Sequence, residues 1–471
     1  MTGLWTSVEI AKAVGGTASA PFAVSGVAFD SREVTRGDLF VALKGEATDG
    51  HRFIDRAFDQ GAAGVIASRP VARPHVLVDD SAAALQALGR AARARMAGWV
   101  VGVTGSVGKT GVKEALFHAL DRAHPGEVHR SVKSYNNHVG VPLSLSRMPR
   151  DTHFGVFEMG MNHAGELAAL TRQVRPHVAI VTAIAPAHIE YFGTEAAIAQ
   201  AKAEIFEGLA AGGTAIIPYD SPHVATLYNK AERHAARILT FGFGAGADIR
   251  AQEAVPAPQG GTLVTATLPG AELCFTIGAP GDHWVSNALA VLAAVEALGS
   301  DLAVAGLALA EMPGLPGRGA RAVLPVGGGT ALLIDESYNA NPLSMAATLK
   351  QLGREDAERR IAVLGGMREL GAHSARLHAG LAPLLTAGRV DHAILVGEEM
   401  GPLADALAPT STPALDGGAG FDHVPDAAAA TDLVRSMMRA GDAILVKGSN
   451  GVGLSRLVAA LGGHPRDGDG N

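Results

Sequence analysis

The chain has 471 residues, 48% apolar and 18% charged, with a formal net charge of −7. That length calls for two or three domains, and the composition is that of an ordinary globular enzyme with little room for disorder. The acidic balance argues against a nucleic-acid binder, and the single cysteine, Cys274, excludes an intramolecular disulfide or a cysteine-based zinc cluster. Glu9 interrupts the first residues, Arg90, Arg93 and Arg95 break one apolar stretch, and Glu296 and Asp301 break another. Neither a secretory leader nor a membrane span is expected, which places the chain in the cytoplasm.

Residues 1–97 read as a first unit. Short strands are expected at Val24–Phe29, ending in Asp30-Ser31-Arg32, and at Asp38–Leu43, ending in Lys44-Gly45, with further strands at Gly64–Ala67 and His75–Val78. Asp49-Gly50-His51 is a turn signal, after which Phe53, Ala57 and Phe58 begin a helical face. Ser31, Arg32 and Lys44 stand at strand ends. They suit an anionic ligand or plain solvated turns, and the segment alone favours turns.

The unit 98–314 opens with the most informative stretch, Trp99 to Thr110. An apolar strand, a glycine-rich turn and a helix carrying Val112, Ala115, Leu116, Ala119 and Leu120 at helical spacing form the context of a phosphate-binding loop. Backbone N–H groups of Gly105, Ser106, Val107 and Gly108 would cradle phosphate oxygens. Lys109 would reach the β- and γ-phosphates, and the Thr110 hydroxyl would ligate Mg²⁺. The first glycine of the usual pattern should be residue 103, which is valine, whereas glycines stand at 102 and 105. A strand over His153–Glu158 ends in a carboxylate suited to Mg²⁺ opposite Thr110. The strand Val178–Ile184 leads to His188, which is either a metal ligand or a turn histidine. A helix is expected from Thr194 to the Gly212-Gly213 stop. It puts Lys202 on one face with Ile198, Ile205, Phe206 and Leu209, where the lysine either snorkels or faces the active site. Strands Thr214–Pro218 and Ile238–Phe241, a hairpin over 262–277 and a helix Trp284–Leu298 complete the unit.

Residues 315–471 alternate strands at Leu332–Asp335, Ile361–Leu364, His392–Val396 and Ala443–Val446 with helices, as in a doubly wound α/β domain. Two strand ends are rich in chemistry, Asp335-Glu336-Ser337-Tyr338-Asn339 and Lys447-Gly448-Ser449, and the tail His464–Asn471 is polar.

These stretches together resemble the Mur ligases of peptidoglycan synthesis. The resemblance rests on the Gly102–Thr110 loop, Asp30-Ser31-Arg32, Tyr135-Asn136-Asn137, Glu158-Met159-Gly160, Ala187-His188-Ile189-Glu190, Lys202–Phe206, Pro316-Gly317-Arg318, Asp335–Pro342 and Lys447-Gly448-Ser449, in order along nearly the whole chain. It implies an α/β fold of three domains: a small UDP-binding domain (1–97), a central P-loop ATP-binding domain (98–314) and a C-terminal Rossmann-like domain (315–471). The implied reaction joins D-alanyl-D-alanine to UDP-N-acetylmuramoyl-tripeptide through an acyl phosphate, with ATP and two Mg²⁺ ions. By resemblance Lys109, Lys202 and His188 are catalytic, Glu158 and His188 hold metal with Thr110, and Lys202 is carbamylated. Asn287, Arg318, Asp335 and Asn339 join the 105–110 loop on ATP, while Ser31, Arg32, Lys44, Asn136 and Asn137 meet the UDP-linked substrate. A monomer without nucleic-acid partners is implied. Gly366, Trp284 and Asn450 depart from the family pattern. Missing are the Asp-Asn-Pro-Arg motif of the diaminopimelate-adding members and the early glycine fingerprint of those adding the first two residues, which points to the last ligase of the series. A folylpolyglutamate-synthase-like ligase would not need the first unit, and a simple nucleotide switch would not need Lys447-Gly448-Ser449 in a third.

Overall fold

A computed structural model describes residues 3–45, 48–258, 260–312, 314–408 and 420–463. The polar tail His464–Asn471 lies outside the described residues. Three sheets organise the chain. The first has five strands in the order Thr17–Ala18, His75–Leu77, Gly64–Ala67, Asp38–Val41, Gly26–Ala28, all parallel except the first pair. Ser31 and Arg32 follow one of its edge strands, and Lys44 follows the strand beside it.

The second sheet has nine strands, with Trp99–Thr104 between Val178–Val181 and Phe154–Glu158, both parallel to it. All of Val100 to Thr104 is buried, as expected of a parallel strand covered on both faces. The hairpin Thr262–Leu268 and Ala271–Ile277 forms one end of the sheet, antiparallel to a strand, Ile249–Pro256, that sequence reading missed. Five of its eight residues are exposed, and Arg250, Gln252 and Glu253 break up its apolar residues, so it carries no continuous apolar run. The helix Leu302–Glu311, capped by Asp301, was also not foreseen. The third sheet runs Ala320–Val326, Gly329–Glu336, Asp442–Lys447, Arg359–Gly365, His392–Val396, Gly420–Val424, with only the first pair antiparallel.

One expected element needs correction. The helix starting at Thr194 does not run to Gly212: its α portion is Glu195–Ala203, followed by a 3₁₀ segment Glu204–Gly208. Docking against the helix Glu166–Val174 is the cause. The Glu204 carboxylate accepts from the N–H groups of Gly165 and Ala168, and the Thr171 hydroxyl donates to the Ile205 carbonyl at 2.7 Å. The tighter turn satisfies the first helix's unpaired N–H groups at the expense of regular helix.

The first and second sheets share a continuous apolar core. The helix Ser81–Arg95 approaches the helix Gly140–Ser146 so closely that a Cβ on Gly89 would lie 2.9 Å from the Pro142 carbonyl oxygen. His129, on the edge strand Val128–Arg130, is bonded to the Ser144 carbonyl at 2.8 Å and leans on Phe157. Burial pushes its pKa down to about 4. Its unfolded value is about 6.5, so the unfolded chain binds the extra proton first as pH falls. We expect stability to decline from about pH 6.5 towards 4. In His129→Asn, urea titrations across that range should show a flatter dependence.

Candidate active site

The phosphate loop is held from its sheet side by the end of the neighbouring strand. Ser106 N donates to the Ala183 carbonyl at 2.7 Å, Ser106 Oγ to the Ala185 carbonyl at 2.9 Å, and Thr182 Oγ1 to the Val107 carbonyl. Gly105 leaves no room for a side chain, since a Cβ there would sit 1.9 Å from Thr182 Oγ1. Gly108, at φ +85°, starts the helix Lys109–Ala123, and its Cβ position lies 2.5 Å from Asn287 Oδ1. The glycine offset also has a local reason: Met159 Cε lies 2.5 Å from the Cβ position of Gly102, so position 102 is reserved for packing and Gly105 opens the turn.

Glu158 ends the strand beside the loop and is buried. Thr110 Oγ1 donates to its Oε2 at 2.7 Å and Asn136 Nδ2 to its Oε1 at 2.7 Å, so both carboxylate oxygens are oriented. Burial pushes the Glu158 pKa up, but Arg318, Lys109 and Lys113, with the Thr110 hydrogen bond, outweigh it and hold the group below its ordinary value. Lys109 folds back on the Gly105 carbonyl at 2.6 Å, and burial lowers its pKa. Lys202 is 1% exposed, and no hydrogen bond or ion pair joins its side chain to the described residues. Burial, and then repulsion from Lys109, drive its pKa well below that of an ordinary lysine.

A cavity of about 680 Å³ brings these groups together with residues of the third sheet's unit. Ser106, Val107, Gly108, Lys109, Glu158, His188, Lys202 and Asn287 line one side, and Arg318, Tyr338, Asn339 and Lys447 the other. Arg318 lies over the Tyr338 ring, 4.1 Å from its centroid, and donates to Ser134 Oγ at 3.2 Å. Volume and polarity suit a nucleotide.

Several expected site residues lie elsewhere. Asp335 does not line the cavity: its oxygens accept from Gly317 N at 2.7 Å, Ser337 N at 3.0 Å and Ser337 Oγ at 2.6 Å, so it braces the turn that presents Arg318. Asn137 is exposed and bonds the N–H groups of Val139 and Gly140. Ser31, Arg32 and Lys44 sit at the first sheet's edge, apart from the cavity lining, and Arg32 pairs with Asp30 at 2.7 Å. His188, at φ +60°, reaches the cavity with Nδ1 2.5 Å from Glu369 Oε2, a close contact that is not aligned as a hydrogen bond. The described residues include no group of three or more His, Cys, Asp or Glu side chains able to hold a metal. Thr110 and Glu158 do form a hard-oxygen pair that fits Mg²⁺, a cation that keeps several waters and takes phosphate oxygens as ligands.

Sequence reasoning gave no role to Lys447 or Tyr338. Lys447 is buried and bonds the Asn339 carbonyl at 3.0 Å and Glu336 Oε2 at 3.4 Å. A lysine and glycine at the end of a parallel strand was the available signal.

Comparison with known proteins agrees with this geometry. Three family models match: the Mur ligase family catalytic domain over 23–95, the Mur ligase middle domain over 103–295 and the Mur ligase glutamate ligase domain over 325–450. The UDP-N-acetylmuramoyl-tripeptide–D-alanyl-D-alanine ligase of Bacillus subtilis is 32% identical over 97% of this chain and 98% of its own. The chain belongs to the Mur ligase family. MurF from Acinetobacter baumannii superposes with a TM-score of 0.83 at 30% identity, over 97% of this chain and 98% of that one. The MurF ligase from Thermotoga maritima, solved in complex with ADP, gives 0.75 at 28% identity, over 93% and 96%. No helix among the described residues is long and apolar enough to cross a membrane.

In this Mur ligase Gly108→Ala combines a left-handed backbone with a clash on Asn287. We expect about a tenfold loss of ADP affinity by calorimetry, with circular dichroism unchanged.

Proposed function

We propose that this chain is an ATP-dependent amide ligase that adds D-alanyl-D-alanine to UDP-N-acetylmuramoyl-tripeptide, giving UDP-N-acetylmuramoyl-pentapeptide, ADP and phosphate. The observation that carries the reading is the Thr110–Glu158 pair beside a phosphate loop, in one cavity with a buried, unpartnered Lys202. The full-length similarity to D-alanyl-D-alanine ligases supports the choice of substrates. ATP use has support in the ADP complex of the Thermotoga maritima relative.

A carboxylate is a poor acylating agent, so a leaving group must be built on it. An oxygen of the tripeptide's terminal carboxylate attacks the γ-phosphorus, the bond to the β,γ-bridging oxygen breaks, and ADP leaves. The dipeptide's neutral amine then attacks the acyl phosphate carbonyl, phosphate departs and the amine proton is lost. Backbone N–H groups of 105–108 and Lys109 hold the phosphates, and Arg318 adds positive charge from the opposite wall, as phosphoryl transfer requires. Thr110 and Glu158 would hold Mg²⁺, which would supply charge neutralisation for the phosphates, and His188, on the cavity wall, would be available to a second ion. Asn287 braces Gly108, and Asn339 lies across from the phosphate loop. Asn136 acts by aligning Glu158. Ser31, Arg32 and Lys44 would receive the uridine diphosphate at the first sheet's edge. All groups used come from one chain, which suits a monomer acting in the cytoplasm, where ATP is present.

Lys202 suits carbamylation. Burial favours loss of its ammonium proton, and the free amine can then attack CO₂, forming an N–C bond and releasing a second proton, so that an awkward buried cation becomes a carboxylate-like acceptor. With ¹³C-bicarbonate, a carbamate resonance should appear in the wild type and be absent in Lys202→Arg. Lys202→Ala should lower ligation by about 10²-fold.

The deciding experiment is phosphate release with each substrate withheld in turn. Turnover should need both UDP-tripeptide and D-alanyl-D-alanine, with the UDP-pentapeptide seen by mass spectrometry. Hydrolysis of ATP without either substrate would overturn the assignment in favour of a nucleotide switch.

A further inference from the structure

Residues 131–136 touch all three units of the chain, and Ser131 and Asn136 at the two ends both bond Glu158. At one end Ser131 Oγ accepts from Glu158 N at 3.1 Å. At the other, Asn136 bonds Glu158 Oε1 through its amide, and its carbonyl accepts from Gly160 N at 2.7 Å. Lys113, fully buried one turn along the phosphate-loop helix, clamps the segment from beneath by donating to the carbonyls of Ser131 and Lys133, each at 2.9 Å. Lys133 takes φ +55°, a conformation that a lysine adopts only when its surroundings impose it. Ser134 receives Arg318 from the third unit.

From the first unit comes Glu33. Its Oε1 accepts from Tyr135 Oη at 2.7 Å and from Lys133 Nζ at 2.8 Å. Glu33 closes the turn that carries Ser31 and Arg32, with its N–H donating to the Asp30 carbonyl at 3.0 Å. The Tyr135 ring also lies 5.5 Å from that of Phe29. Burial and the nearby carboxylate push the Tyr135 pKa up, so its hydroxyl keeps its proton and remains a donor.

We propose that Glu33 is a positioning residue for the metal carboxylate: by holding Tyr135 and Lys133 it sets Asn136, and through it the orientation of Glu158, and so links the turn at residues 30–33 to the phosphate site. This rests on the reading of Thr110 and Glu158 as the Mg²⁺ pair. Glu33 touches neither nucleotide nor reacting atoms. Its effect passes through a segment that is clamped at both ends and has little freedom to absorb a loss at its middle.

The test uses the full chain and two readouts. Thermal stabilisation by ADP is followed against Mg²⁺ concentration, and steady-state ligation is measured for all three substrates. Glu33→Ala should raise the Mg²⁺ concentration for half-maximal stabilisation several-fold and lower kcat about tenfold, with the KM for D-alanyl-D-alanine unchanged. Tyr135→Phe should shift the same parameters in the same direction, and the double variant should be no worse than Glu33→Ala, because both changes cut one path. Glu33→Asp, which keeps the charge, should recover part of the Mg²⁺ response. An unchanged Mg²⁺ midpoint in Glu33→Ala overturns the proposal, even if unliganded stability falls. So do multiplicative single-variant effects, or a wild type whose ADP complex ignores Mg²⁺. If the midpoints shift as expected but the wild type makes no pentapeptide, the assigned reaction fails and the positioning role stands.

Discussion

A carboxylate buried beside a phosphate loop is tolerable only if charge and hydrogen bonds compensate it, and Glu158 sets that condition for this molecule. Three cations act on it, from the phosphate loop, from the helix behind it and from the third unit, and two side chains orient its oxygens. Removing any one of these would leave a costly group partly uncompensated. The same compensation explains why Lys109, Lys113 and Arg318 converge. Cations crowded around an empty anion site would repel one another, and Glu158 offsets that repulsion, with Glu114 pairing Lys113 at 2.8 Å from behind.

The cavity is split between two sheets whose contact across it is mostly polar. Asp282 pairs with Lys350 at 2.7 Å and Arg354 at 2.8 Å, His188 meets Glu369, and Arg318 meets Ser134. The ion pairs of Asp282 are exposed, and such pairs contribute little individually and are screened by salt. Away from the cavity, one apolar cluster joins the first and second sheets and continues into the third unit through residues such as Met367, Leu370 and Leu381, and the first two units also meet closely at Gly89. Apolar burial therefore joins all three units, and the polar contacts are confined to the walls of the cavity.

The departures from the family pattern find local accommodations. Beside Gly366, Glu399 fills the space, its Cβ 2.9 Å from where a Cβ would stand, and Ser449 Oγ accepts from Arg368 N at 3.0 Å. Trp284 is buried and packs where Gly111 leaves room, 3.3 Å from that glycine's Cβ position.

Much of this was legible in the chain itself, because parallel strands buried on both faces must be continuously apolar and must end in turns. The strand Trp99–Thr104, the loop after it, Glu158 at the next strand end and the apolar face around Lys202 all follow from period and punctuation alone. Half-exposed strands such as Ile249–Pro256 leave no such mark, and a helix yields to a 3₁₀ turn where another helix needs its capping groups. Partners are decided only in three dimensions. Asp335 and Asn137 carry the right chemistry at the right spacing, yet their oxygens are taken by neighbouring backbone N–H groups. Glu33 and Lys113 look like ordinary surface charges in the sequence. Only the packing of three units around residues 131–136 links them to the carboxylate, since Glu33 meets Tyr135 102 positions away and Lys113 meets Ser131 18 positions away, separations with no periodicity to announce them.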